Sequence, residues 1–198
     1  MSLNNENAKK EGDAIQLIFD GDSITDFWAG RGKAIWTERY GNYHAFNFGI
    51  ASDRTEHVLW RLSQGQVDGL HPKLIVLLIG ANNVFANPPE QIAEGVKAIV
   101  ADYRKRCPNS SILLQGIFPS GASSTSPRRA PTKTVNDIIC KLADGKKVIY
   151  IDFGEKFLSP DGSLSAEIMP DFLHPSTKGY QIWADAIQPI IDQQLGAK

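Results

Sequence analysis

Ser23 lies in the turn Gly21-Asp22-Ser23-Ile24-Thr25, directly after the apolar run Ile15-Gln16-Leu17-Ile18-Phe19. Such a run reads as a buried strand, and the turn after it presents a hydroxyl at the mouth of a sheet. A serine so placed is a nucleophile where a base and an oxyanion site converge on it. Alone, Gly-Asp-Ser is also ordinary turn chemistry. Three later pieces follow in the order a hydrolase needs: Asn47-Phe48-Gly49-Ile50, Gly80-Ala81-Asn82-Asn83 and Asp171-Phe172-Leu173-His174. A serine hydroxyl is too weak an acid to attack an ester unaided, so a base must take its proton.

Four histidines are available. His44 opens a strand and His71 precedes one, both at the edge opposite the serine. His57 falls in a helical pattern. His174 sits in an irregular segment from which it can fold over the serine's edge, and Pro175 biases it to an extended conformation. Asp171, three residues earlier, is one local turn from His174 Nδ1 and would fix the tautomer that leaves Nε2 free. Asp152, ending a strand, is the competing orienter, with loop capping as its alternative. Asp22 and Asp26 read as turn and helix-start groups, and Asp53-Arg54-Thr55 as a helix entry.

The elements that must position these groups alternate. Apolar runs predict strands near Ile15–Asp20, His44–Gly49, Lys73–Ile79, Ser111–Ile117 and Lys147–Asp152. Helical patterns fall near Lys33–Tyr40, Arg54–Gln64, Pro89–Cys107, Thr132–Ala143 and Thr177–Gln194, with Pro189 expected to kink or shorten the last. Alternation of this kind predicts a parallel sheet with right-handed helical crossovers, a three-layer α/β/α sandwich. The unbroken run Leu74-Ile75-Val76-Leu77-Leu78-Ile79 suits a central strand covered on both faces. Ser23, Gly49 and Asn82 each follow a strand closely, so all three belong at the carboxyl edge. The irregular stretch Pro119 to Pro131 belongs there too, as a surface connection or as a lid over the alcohol side.

The four pieces resemble the SGNH (GDSL-type) hydrolase superfamily over about Ile15 to Ile191. The likeness is greatest to its platelet-activating-factor acetylhydrolase alpha-subunit-like esterase branch. That narrower likeness rests on Asp53-Arg54-Thr55 with Val58-Leu59-Trp60-Arg61-Leu62, Gly80-Ala81-Asn82-Asn83, Pro119, Val135-Asn136, Ser159-Pro160-Asp161-Gly162, and Asp171-Phe172-Leu173-His174-Pro175 leading to Gly179-Tyr180. The chain departs from the superfamily at Ala81 and Asn83, where Thr or Ser and Asp are common, and at Asp20, where Leu is common. The resemblance implies a flavodoxin-like five-stranded parallel sheet and a cofactor-free, metal-independent serine esterase. In it Ser23, His174 and Asp171 form the triad. The backbone N–H of Ser23, the backbone N–H of Gly49 and the side-chain amide of Asn82 form the oxyanion hole. It further implies short-chain, chiefly acetyl, esters of carbohydrates or other small alcohols. A lysophospholipase or thioesterase with a longer acyl groove, or a non-catalytic flavodoxin-like binding module, are the alternatives. Phe27, Trp28 and Phe172 are candidate pocket walls, with core packing as the rival reading.

The remaining composition excludes more than it identifies. The 198 residues suit a single domain over 14–198 behind a polar extension, 1–13. Twenty-one basic against twenty-two acidic residues, with no basic stripe interleaved with aromatics, speak against a nucleic-acid partner. No apolar run approaches the ~20 residues that span a bilayer. Residues 1–13 lack an apolar signal core, which leaves a secreted or periplasmic location only if a leader has been removed, and a cytoplasmic one otherwise. Cys107 and Cys140 are too few for a disulfide framework or a four-ligand zinc site, and one bridge between them stays open. Gly30-Arg31-Gly32-Lys33 lacks the spacing and the preceding strand of a phosphate loop. A homo-oligomer is compatible with all of this.

Overall fold

A computed structural model describes residues 8 and 10–197, with residue 13 in its backbone only. Five strands form one parallel sheet: β1 (Leu17–Gly21), β2 (Ala45–Asn47), β3 (Leu74–Leu78), β4 (Ser111–Gln115) and β5 (Val148–Ile151). Their order is β2-β1-β3-β4-β5. Leu17 pairs with Ala45 on one side and Leu74 on the other, so β1 is an interior strand, and β3 lies at the centre of the sheet. β1, β3 and β4 are buried along their whole length, as unalternating apolar runs must be when helices cover both faces. All five predicted strands are present, with ends moved by at most two residues.

The helices are α1 (Ser23–Asp26), α2 (Lys33–Tyr40), α3 (Thr55–Ser63), α4 (Pro89–Arg106), α5 (Arg129–Ile139) and α6 (Thr177–Leu195). α4 packs against both α3 and α5 on one side of the sheet, and α2 meets α6 on the other. Connection order and sheet order therefore reverse between β1 and β3. In doubly wound folds the crevice at that switch point is where ligands bind. Ser23 follows β1 and Asn82 follows β3, so both flank it.

The last two helices differ most from the sequence reading, and α5 also ends at Ile139 rather than Ala143, giving way to a 3-10 turn over Cys140–Leu142. α5 begins at Arg129 rather than Thr132, because Pro131 falls in its first turn, where a missing N–H costs nothing. α6 runs through Pro189 to Leu195 without shortening. Ile187 and Ile191 on either side of the proline are fully buried and hold the helix, while Pro189 and Asp185 face solvent, where water can satisfy the Asp185 carbonyl left without its donor. Residues 1–7 and 9 of the predicted polar extension lie outside the described residues. Ala8 is fully buried against the core, and the 3-10 turn Gly12–Ala14 leads into β1.

Candidate active site

The turn after β1 is built by Gly21 and Asp22. Asp22 caps α1, its Oδ1 accepting from Ile24 N–H at 2.9 Å. A Cβ on Gly21 would collide with the Leu78 carbonyl of β3, so only glycine lets the two strands end side by side. Ser23 occupies the first helical position, where no intrahelical carbonyl reaches its N–H. Tyr180 of α6 donates its hydroxyl to Ile24 O at 2.6 Å and fastens this turn to the last helix.

His174 reaches Ser23 across 151 residues of sequence: Nε2 lies 2.9 Å from Ser23 Oγ. Its Nδ1 is 2.7 Å from Asp171 Oδ2. Asp171 Oδ1 also accepts from the backbone N–H groups of His174 at 2.8 Å and Leu173 at 3.1 Å. Burial opposes ionisation of Asp171, yet the bonds from the His174 backbone and ring, with that from Leu173, outweigh it and hold the carboxyl below its ordinary range. The turn that makes this local triangle passes through Phe172 at φ 57°, a left-handed conformation unusual for a bulky residue. Asp152 does not meet His174. It accepts from Gly154 N–H at 2.9 Å and Asn136 Nδ2 at 3.0 Å, a loop-capping role. His57 Nδ1 accepts from Arg54 N–H at the start of α3, and His44 is exposed at φ 47°.

The candidate oxyanion donors are differently committed. Asn82 gives one amide hydrogen to the Asp53 carbonyl at 2.8 Å, and a carboxamide carries a second. Asn83 is buried in a helix-entry cluster: Oδ1 accepts from Thr55 N–H, and Nδ2 donates to Glu56 and Asn87. Gly49 N–H donates to Asn47 Oδ1 at 2.8 Å, so it would have to share that hydrogen with an oxyanion. Asn47 Nδ2 in turn donates to the Thr25 carbonyl at 2.9 Å, latching the loop after β2 onto α1. A side chain at Gly49 would lie 2.7 Å from the Thr25 carbonyl carbon, which explains the glycine there.

Of the three aromatic candidates, Trp28 is not a pocket wall. It is fully buried, with its ring among Phe19, Tyr40, Tyr180 and Trp183 in the aromatic core beneath α6. Its neighbour Phe27 turns the other way, its ring 5.1 Å from the His174 ring. Phe172 is half-buried and lines a groove of ≈ 320 Å³.

A buried charge cluster under the site escaped the sequence reading. Arg61 of α3 donates to Asp20 at 2.9 Å and to Asp53 at 2.8 Å, with Gln66 also bonded to it and the Tyr103 hydroxyl bonded to Asp20. Burial works against the Arg61 charge, but Asp20 and Asp53 more than offset it and raise its pKa. The available signal was an aspartate inside a five-residue buried strand, which demands a cationic partner.

Comparison with known proteins agrees with this architecture. The model of the GDSL-like lipase/acylhydrolase family matches residues 19–182. The chain is 35% identical to the human platelet-activating factor acetylhydrolase IB subunit alpha1 over 189 residues, 92% of this chain and 80% of that one. It is 35% identical to the mouse alpha2 subunit over 180 residues, covering 90% and 77%. Among solved structures, a GDSL-like lipase from Bacteroides thetaiotaomicron superposes with TM-score 0.75 at 18% identity, covering 97% of this chain and 98% of the other. An acetylxylan esterase from Geobacillus stearothermophilus superposes with TM-score 0.68 at 18% identity, covering 94% and 96%. At those identities the structural likeness speaks for the fold, and the sequence matches speak for the chemistry. A switch-point serine on this sheet, within a family match that spans most of the sequence, makes the chain a member of the GDSL-like lipase/acylhydrolase family and a carboxylic ester hydrolase.

Proposed function

We propose that the protein is a serine esterase that removes short acyl groups, chiefly acetyl, from small alcohols such as sugars. The observation that carries the reading is the unbroken hydrogen-bonded chain Ser23 Oγ–His174 Nε2 and His174 Nδ1–Asp171 Oδ2. His174 Nε2 takes the hydroxyl proton as Ser23 Oγ bonds to the ester carbonyl carbon, and the carbonyl electron pair moves onto oxygen. Asp171 stabilises the imidazolium and fixes its orientation. Collapse of the tetrahedral intermediate breaks the bond to the alcohol oxygen, which leaves with the proton from His174. Water then repeats the sequence on the acyl-enzyme, releasing a carboxylic acid and restoring the Ser23 hydroxyl. The N–H of Ser23, the second amide hydrogen of Asn82 and a shared N–H of Gly49 are the donors for the oxyanion.

Two things favour acetyl. The relatives at 35% identity are named as platelet-activating factor acetylhydrolase subunits. Phe27 crowds the base, and each methylene denied burial forfeits roughly 0.8 kcal/mol. The test compares p-nitrophenyl acetate, butyrate and octanoate by kcat/KM, followed by acetylated oligosaccharides. Acetate is expected to lead and octanoate to trail steeply; octanoate as the best substrate would transfer the protein to long-chain hydrolysis. A sulfonyl fluoride should leave one adduct, on Ser23, and Ser23→Ala should abolish turnover while keeping the fold.

A further inference from the structure

Beside the proposed catalytic groups, Phe85 and Arg128 form a pair that the reaction as written does not use. Phe85 belongs to the loop that follows Asn82 and is 67% exposed, one of two large apolar side chains standing out of this surface among the described residues. The Arg128 guanidinium lies over its ring at 4.4 Å from the centroid. The Arg128 side chain has no carboxylate partner and no hydrogen bond among the described residues, whereas that of its neighbour Arg129 is committed to the carbonyls of Ser120 and Gly121. Arg31, on the other side of His174, lies over Phe27 and reaches the His174 carbonyl. Arg128 is therefore a pre-stacked cation whose donors point at no protein group.

Its position gives those donors a purpose. Phe85 and Arg128 line the ≈ 320 Å³ groove together with Asp171, Phe172 and Leu173. One wall of that groove continues from the Asn82 loop and the other leads into His174. In the mechanism above, His174 hands its proton to the departing alcohol, so the alcohol lies on the His174 side. Asp171, the one carboxylate lining the groove, already accepts from the His174 ring and two backbone N–H groups. A guanidinium held flat by an aromatic face keeps its fork of N–H donors free for a planar or tetrahedral anion.

We infer that the Phe85–Arg128 pair is an alcohol-side subsite that selects esters whose alcohol carries an anionic group, a carboxylate or a phosphate. The inference rests on the esterase reading of Ser23 and deepens it by naming the alcohol's chemistry. Phe85 supplies the platform that orders Arg128 and a face for the body of the alcohol, and Arg128 supplies the charge and the donors.

The experiment measures kcat/KM for three aryl acetates of matched shape: para-acetoxybenzoate, para-acetoxyphenyl phosphate and the neutral para-acetoxybenzamide. The wild-type protein should favour at least one anionic ester over the amide, and which one is favoured separates carboxylate from phosphate. In Arg128→Ala that ratio should fall at least tenfold. Arg128→Lys should restore part of it, and Phe85→Ala should lower it in the same direction. The ratio should also shrink as sodium chloride rises from about 20 to about 500 mM, because screening acts on the charged arm alone. A ratio unchanged by Arg128→Ala, or preference for the neutral ester in the wild type, overturns the subsite. Failure of the esterase reading looks different: none of the three esters turns over, and Ser23 takes no adduct.

Discussion

Asn82 Nδ2 donates to the backbone carbonyl of Asp53 at 2.8 Å, tying the loop after β3 to the loop that enters α3. Asp53 is itself held by Arg61, so the carboxamide is aimed by a chain of contacts that begins inside the protein. Asn82→Ala should lower kcat by about 10²–10³ with little change in KM, since an oxyanion donor acts as charge develops. Asn83→Ala should do the opposite. It removes bonds to Thr55, Glu56 and Asn87, so its effect should appear in a denaturation curve more than in turnover. Steady-state kinetics and urea unfolding of the two variants read both outcomes.

Asp171→Asn should cost ~10⁴ in turnover, because an amide at that position permits the wrong His174 tautomer. Asp152→Asn should be nearly silent in kcat, its carboxylate being engaged with Asn136 and Gly154. The carboxyl of Asp171 is held low, so the stability its bonds contribute is present above its unfolded pKa and is lost only as pH falls through the depressed folded value.

Arg61→Met should leave two buried carboxylates, Asp20 and Asp53, without their cation. Asp20 is fully buried and Asp53 nearly so. Breaking a buried pair by removing one partner costs about 3–5 kcal/mol, and the urea midpoint should fall accordingly. Where the variant stays folded, its kcat should fall more than its KM changes, because Asp53 also aims Asn82.

Asp22 offers a pH test with the opposite sign. It is buried beside Ser23, its Oδ2 has no hydrogen-bond partner among the described residues, and burial, helped by Asp53, pushes its pKa up from 3.8 to about 7. Between about pH 4 and pH 7 the folded state keeps a proton that the unfolded state has released, so this group lowers stability as pH rises through that window. Asn can still cap α1. Asp22→Asn should therefore gain stability relative to the wild type from pH 4 to pH 7 and level off above, with a ceiling of about 4 kcal/mol. Thermal melts of both proteins across that range give the comparison.

Much of the architecture lay in local pattern. The unbroken run Leu74–Leu78 marked a doubly covered strand, and the strand-then-turn arrangement at Ser23, Gly49 and Asn82 placed three groups at one sheet edge before any contact was known. Those inferences hold because side-chain period and crossover handedness are properties of the chain itself. The Asp171–His174 pairing was legible for the same reason, being a single turn.

What depended on distance through space was not legible. Phe27 and Trp28 are adjacent and chemically alike, yet one abuts His174 and the other fills the core, a division set by the pairing of α6 with the β1 turn. Asp20 announced that it needed a cation, but only the packing of α3 chose Arg61. Asn47 latching onto the Thr25 carbonyl, and α6 running through Pro189, likewise follow from neighbours remote in sequence. The sequence by itself determined which residue types carry the chemistry and which edge of the sheet they share, because both are encoded within a strand and its turn. Tertiary structure alone decided how each group is aimed, since hydrogen-bond partners and buried charges are matched across elements that no local pattern joins.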